Sequence, residues 1–399
     1  SGIPEPFAFV YALSARPHAL KGYPPGLYLG GNFFAIGALQ TRSLGRWSDR
    51  EWRTLAGWAP TQPNGANITS LRPYAGSGQS GTSPELIVAG VYDLESNPGV
   101  SGIGQWNGSA WSALGTGIYP AGVNATTVYD DDGPGPRLPG LYVVGYPQIA
   151  GGTVVNGVAR WDGVNWEGLG SGLAGSPVNS LGVFDEDGPG PQHDTLFVGG
   201  AFSYAGGIPM SGLARWNGQQ WSPVPGWTAG WVTAMAVFDD DGPGPNKPAL
   251  FVGGGIHQVA GMPSSGLVKW DGRTWNTLQG GVTGFPVQSE VKSLGVYDED
   301  GNGPNPGGLY VGGYFFFTGT GIPAKGLARW GCPLPPECFA NCTRDFHPVT
   351  GAHVLSVADF GCFQTAYVLQ NPYADCNSDG ALTVADFGCF QGKYVLGCP

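Results

Sequence analysis

The chain is 399 residues long, and 71 Gly and 35 Pro accompany only 12% charged residues. Its 29 acidic against 18 basic side chains leave a formal net charge of −11, which excludes nucleic acid or an anionic membrane as the natural partner and suits cations. So much Gly and Pro marks disorder in many chains, but here the glycines recur in register with 14 Trp, 16 Tyr and 19 Phe, so the pattern is that of a folded repeat.

The sequence opens SGIPEP, without Met or a signal peptide, which fits a mature, processed form. Apolar runs stay well under the ~18 residues of a membrane span, so none is expected. The clearest repeat unit, Val178 to Val224, reads VNSLGVFDEDGPGP, then TLFVGGAFSYAGG, then GLARWNGQQWSPV. Its first Trp recurs at Trp47, Trp106, Trp161, Trp216, Trp270 and Trp330, at intervals of 54 to 60 residues, which makes six copies. Each copy holds four short apolar segments separated by turn residues, the signature of a four-stranded antiparallel unit.

Within the unit, the first strand leads into a D-x-D-G loop at Asp130, Asp185, Asp239 and Asp298. Clustered carboxylates are hard ligands suited to Ca²⁺. The simpler reading is a hairpin tip whose Asp, Gly and Pro set turn geometry, and it is preferred because no acidic ligands follow downstream in the loop. The second strand ends in a Gly pair, at Gly30-Gly31, Gly199-Gly200, Gly253-Gly254 and Gly312-Gly313, where the backbone is expected to pass close to a neighbour. The last two strands form a hairpin between two Trp, as in Trp161-Asp-Gly-Val-Asn-Trp166. Its Asp-Gly pair, with Asn107-Gly108, Asn217-Gly218 and Asp271-Gly272 elsewhere, predicts a type I′ turn.

Six such units resemble a β-propeller. The strand-GG and Trp-x-x-Leu features resemble kelch-type blades, and more narrowly the propeller repeats of secreted planctomycete proteins, over roughly residues 7 to 331. The expected fold is therefore all-β, with a six-bladed propeller over residues 1–331. The second Trp stands at Trp52, Trp111, Trp166, Trp221 and Trp275, but in the sixth copy that position is Pro335, inside CPLPPEC. The fourth strand of the last blade is thus missing on the C-terminal side. Either the N-terminal SGIPEPF closes the ring in cis, or blade six offers an open edge for strand addition.

After a Pro/Cys linker at 332–340, a small α-helical module is expected over 341–399, where HVLSVADFGCFQTAYV repeats as ALTVADFGCFQGKYV. In DCNSDGALTVADFGCFQ, Asp375, Asn377, Asp379, the carbonyl of Ala381, Thr383 and Asp386 occupy positions 1, 3, 5, 7, 9 and 12 of a calcium loop, with Gly380 at the sharp turn. The first copy holds a degenerate set, Asn341, Thr343, Asp345, Ser356 and Asp359, interrupted by FHPVTGAH and expected to bind calcium more weakly or not at all. Calcium is the one cofactor expected. This tandem resembles the type I dockerin family over residues 338 to 399, which implies calcium-dependent folding and docking to a partner protein. Where that family usually carries Ser or Thr at loop positions 10 and 11, this chain has Val384-Ala385 and Val357-Ala358.

All seven Cys lie between Cys332 and Cys398, which points to disulfides, an oxidising compartment and secretion to the extracellular space or cell surface. Cys342 and Cys376 fall at equivalent loop positions, as do Cys362 and Cys389, so one disulfide per repeat is expected, with crossed pairing as the alternative. Two of Cys332, Cys338 and Cys398 would clasp the module ends and leave one Cys reduced or bonded to a second molecule.

Sequons at Asn67, Asn107 and Asn124 are candidate glycosylation sites, and Asn341 starts a fourth that overlaps the degenerate loop. The five His share no metal-ligand spacing and no Ser/His/Asp arrangement is legible, so an enzyme is not expected. A copper oxidase of the galactose oxidase type needs a Cys-modified Tyr, and the first 331 residues contain no Cys. Two functions follow. The first is an extracellular structural or interaction protein whose calcium-stabilised tail, or open sixth blade, docks onto another protein or a copy of itself, head to tail into larger structures or fibres. The second is a carbohydrate-binding or carbohydrate-degrading propeller anchored through its dockerin-like module, with the non-repeating Phe315, Phe316 and Phe317 as candidate ligand surface for glycans.

Overall fold

A computed structural model describes residues 9–16, 23–61, 66–76, 84–95, 97–146, 148–188, 193–228, 230–240, 247–278, 281–283, 289–298, 307–318 and 324–330. The linker at 332–340, the module at 341–399 and the segment SGIPEPF lie outside the described residues. The chain divides into two compact units, one of residues 1–238, 247–295 and 310–328, the other of 239–246, 296–309 and 329–399.

Every repeat forms one antiparallel sheet with its strands in chain order. Blade 1 comprises Phe9–Arg16, Gly26–Asn32, Leu44–Ser48 and Glu51–Arg53. Blade 2 comprises Asn67–Tyr74, Glu85–Leu94, Asn97–Trp106 and Trp111–Ala113. Blade 3 has Val123–Tyr129, Gly140–Gly145, Val158–Trp161 and Trp166–Gly168. Blade 4 has Leu173–Phe184, Thr195–Ala205, Leu213–Trp216 and Trp221–Pro223, with the short strand Ile208–Pro209 added. Blade 5 runs through Trp231–Phe238, Ala249–Gly255, Leu267–Trp270 and Trp275–Asn276. Blade 6 shows three strands among the described residues, Glu290–Tyr297, Gly308–Tyr314 and Leu327–Trp330.

The cores lie between blades. A strand exposes alternate residues to opposite faces, so a strand sandwiched between two neighbours must be apolar throughout. Leu141 and Val143 pack with Ile87 of blade 2, whereas Tyr142 and Val144 pack with Val198 and Trp216 of blade 4. Tyr28 and Leu44 meet Ile68 and Leu86 in the first such layer, and Phe197 and Leu213 meet Val232 and Leu250 in the fourth. At about 1.5–3 kcal/mol for each large side chain removed from water, these seams hold the blades in sequence.

The Gly pairs belong to the same packing. A methyl on Gly199 would fall 2.5 Å from Val232 Cγ1 of the next blade, and one on Gly253 would fall 2.5 Å from Val291 Cγ1. The expected close approach is therefore real, and the neighbour's β-branched residue fills the space.

The outer hairpins correct the turn expected from sequence. Trp161 stands directly opposite Trp166, and Trp216 opposite Trp221, with ring centroids 5.2 and 5.1 Å apart. Gly163 has φ +102, and among the described residues of this turn it alone is positive, whereas a type I′ turn needs positive φ at both central residues. The preceding side chain also bonds into the turn: Asp162 Oδ1 accepts from the N–H groups of Val164 and Asn165, at 2.7 and 2.6 Å. Asn107, Asn217 and Asp271 repeat this pair of bonds. Among the described turns only that of blade 1, which has no Gly here, shows two positive φ values, at Asp49 (53) and Arg50 (65).

Candidate functional site: the strand-start face and the first and last blades

In blades 1 to 5 each inner strand begins with a β-bulge, an extra unpaired residue whose side chain is re-aimed out of the ladder. The register shifts leave Thr69, Asn124, Asn179 and Thr233 as those residues in blades 2 to 5. Each then hydrogen-bonds to the next blade. Asn124 Nδ2 donates to the carbonyl of Val178 at 2.9 Å and Asn179 Nδ2 to that of Val232 at 3.1 Å; Thr69 and Thr233 donate to Val123 and Val291. This side-chain belt joins successive blades at one end of their inner strands. It also places the Asn124 amide nitrogen, the atom a glycan would occupy, in an inter-blade bond, while Asn107 lies exposed at a hairpin tip. Asn67 is half-buried at the start of its strand.

The belt changes character at blade 6, where the position is Lys292. Its Nζ lies 2.7 Å from Glu290 Oε1 and 5.5 Å from the centroid of the Tyr314 ring. The same Glu290 oxygen accepts from Trp231 Nε1 at 2.9 Å, and Trp231 meets the His257 ring edge-on at 6.1 Å. In blade 1 the equivalent residue is Tyr11, which stacks on Phe9 at 6.0 Å. Burial, and then the neighbouring Tyr314, raise its phenol pKa, so these two side chains are electrostatic neighbours.

Packing changes at the same place. The β-branched residue just before the bulge, which in blades 2, 5 and 6 covers the preceding blade's Gly, is fully or almost fully buried at Ile68, Val123, Val178, Val232 and Val291, but its blade 1 equivalent, Val10, is 43% exposed. Among the described residues, a methyl on Gly312 of blade 6 would meet Ser293 of its own blade and nothing of blade 1. The tetrapeptide Leu-Ala-Arg-Trp occurs identically at 213–216 and 327–330; Leu213 is buried, whereas Leu327 is 60% exposed. Phe316 and Phe317 are exposed as expected, but Phe315 is not: it is buried, because a residue pointing to the opposite side of the strand end enters the core.

The acidic loops have structural partners. In blade 3, buried Asp131 accepts from the Tyr142 hydroxyl at 2.8 Å and pairs with Arg137 at 3.2 Å and Arg160 at 3.5 Å. Burial, reinforced by the Asp131 carboxylate, pushes the Tyr142 phenol well up. In blade 4, Glu186 pairs with Arg215 at 3.0 Å and accepts from Trp270 of blade 5 at 2.9 Å. The first Asp of the motif caps its own turn: Asp185 Oδ1 accepts from Gly188 N at 2.8 Å. Among the described residues no group of three or more His, Cys, Asp or Glu is placed to hold a metal. The calcium residues Asp375 to Asp386, the degenerate set from Asn341 to Asp359 and all the cysteines fall outside the described residues.

Repeated four-stranded blades with cores between them define an all-β protein of the β-propeller class. No family model matches the chain, and no curated protein matches it. Among solved structures it is similar to the GH74 enzyme of Niastella koreensis, at 14% identity and a TM-score of 0.34 over 68% of this chain; it spans 37% of that protein's length. It is also similar to BBS1N, solved in complex with ARL6DN, at 13% identity and TM-score 0.31, covering 81% of this chain and 95% of the other. A third is the WD40 β-propeller domain of Doa1, at 11% identity and TM-score 0.29, covering 82% and 97%.

Proposed function

We propose that the chain is a secreted structural or interaction protein, a kelch-like propeller of the planctomycete kind, that assembles with copies of itself through its first and last blades and docks through a calcium-loaded, dockerin-like tail. The observation that carries this reading is Val10, exposed where its repeat equivalents are buried. Val10 and Leu13 on one side and Leu327 on the other are apolar seam residues left exposed even though Tyr11 and Tyr314 of these two blades are neighbours within the chain, so this seam is loosely packed and open to a second copy. A surface on blade 1 that fits a different surface on blade 6 is heterologous. Joining copies this way gives chains or fibres unless the rotation happens to close.

The sequence after Trp330 supports an edge left for another molecule: CPLPPEC carries three prolines where the fourth strand belongs, and proline donates nothing to a ladder. No catalytic constellation argues for an enzyme. Sedimentation of the full chain in calcium and in a chelator tests the reading, with Val10→Asp alongside. Multimers in calcium, reduced to monomers by chelation or by Val10→Asp, are expected. A monomer in both conditions at high concentration sinks it.

A further inference from the structure

Trp231 departs from its repeat twice over. The position two residues before the bulge is Phe9, Asn67, Gly122, Pro177 and Glu290 in the other blades. Its cross-strand partner is Gly255, the third glycine of a run that no other blade has. The two departures fit one another, since a methyl on Gly255 would fall 2.0 Å from Trp231 Cε2. The indole therefore lies against bare backbone on one side, and it is still 39% exposed. Its N–H is fixed by Glu290 at 2.9 Å, Glu290 is fixed by Lys292 at 2.7 Å, and Lys292 sits over Tyr314, which is 69% exposed.

We propose that Trp231, Glu290 and Lys292 form a carbohydrate-binding subsite that stacks the C–H face of a neutral, β-linked hexopyranose against the indole. The inference is independent of self-assembly. A flat, oriented, exposed indole is a rigid apolar surface that binds with little entropy loss. Sugars of gluco configuration carry their hydroxyls equatorially and offer both flat faces as C–H. Around the ring edge, Glu290 supplies an acceptor and Lys292 supplies donors. The two charges cancel, so the subsite favours a neutral ligand. Tyr314, on the far side of Lys292, provides a second aromatic surface for the next sugar of a chain.

The test uses the full chain with cellohexaose, followed by titration calorimetry and by saturation-transfer NMR. Binding is expected, with Trp231→Ala and Gly255→Ala each weakening it by about tenfold or more, Trp231→Tyr by only about threefold, and Tyr204→Ala, an exposed aromatic outside the cluster, leaving it unchanged. Trp231→Tyr keeps an aromatic ring over Gly255 and so separates loss of binding from loss of fold. Absence of cellohexaose binding, or equal binding by wild type and Trp231→Ala, overturns the proposal.

Discussion

The indole N–H of Trp221 in blade 4 donates to the carbonyl of Leu169 in blade 3 at 2.9 Å. The same bond runs from Trp111 to Ala56, from Trp166 to Leu114 and from Trp275 to Pro225. The second Trp of each hairpin thus does two things: it pairs with the first Trp across the turn and latches the blade to its predecessor. Trp52 of blade 1 has no such carbonyl among the described residues, and blade 6 has Pro335 where its own latch belongs.

Trp221→Phe keeps an aromatic ring but orphans the buried Leu169 carbonyl. A loss of about 1–3 kcal/mol in unfolding free energy is expected from guanidinium titration, with a smaller loss for Trp52→Phe. Equal losses at the two positions would show that ring volume, and not the latch, is what matters.

Gly199→Ala places a methyl 2.5 Å from Val232 Cγ1 and 2.6 Å from Ser180 Oγ. Overpacking of this kind is expected to cost about 1–3 kcal/mol and to lower the melting temperature. Gly295→Ala meets nothing within 4 Å and serves as the control, with no loss expected. A melt showing both variants unchanged would refute the tight seam.

At Asp162, burial alone would raise the carboxyl pKa, but hydrogen bonds from the Asn165 and Val164 N–H groups, helped by Arg160, hold it below the ordinary carboxylate value. Asp271 is likewise lowered: burial acts upward, and the Thr274 and Arg273 N–H groups outweigh it. A depressed folded pKa contributes stability that is present above the unfolded value of about 3.9 and is lost as the pH falls through the folded one. Asn serves the same turn in blades 2 and 4. The double variant Asp162→Asn, Asp271→Asn is therefore expected to melt near the wild-type temperature at pH 7 and to lose less stability between neutral pH and pH 3. A steeper acid loss than wild type would contradict this account of the turn.

In the proposed calcium loop, Asp375 and Asp379 supply ligand positions 1 and 5. Titration of calcium into the full chain is expected to show one dominant site, abolished by Asp375→Asn with Asp379→Asn. If the wild-type chain takes up no calcium, the dockerin-like reading falls with it.

Much of the fold was legible because the residues that build seams repeat visibly: the paired Trp, the Gly doublets and the unbroken apolar second strands all recur at one interval. The belt was not, because Thr69, Asn124, Asn179 and Thr233 differ in chemistry and are aligned only by a bulge that no composition rule marks. The turn differs from the expectation because Asp162 still pairs with Asn165, its N–H donating to the Asn165 carbonyl at 3.1 Å, so Gly163 and Val164, and not Asp and Gly, are the central residues. Phe315 was misplaced for a simpler reason: in a run of three Phe, sequence does not say which one faces the core. Trp231 went unnoticed among 14 Trp, although its partner Gly255 breaks the repeat in plain view.

The central claim is that blade 1 of one copy meets blade 6 of another. A photo-crosslinking amino acid at position 10, in a mixture of light and heavy-isotope chains with calcium, tests it directly. The account predicts cross-linked peptides that join a light residue 10 to heavy residues around Gly312 and Leu327. Cross-links confined to peptides of a single isotope composition would mean that each copy closes on itself, and would contradict it.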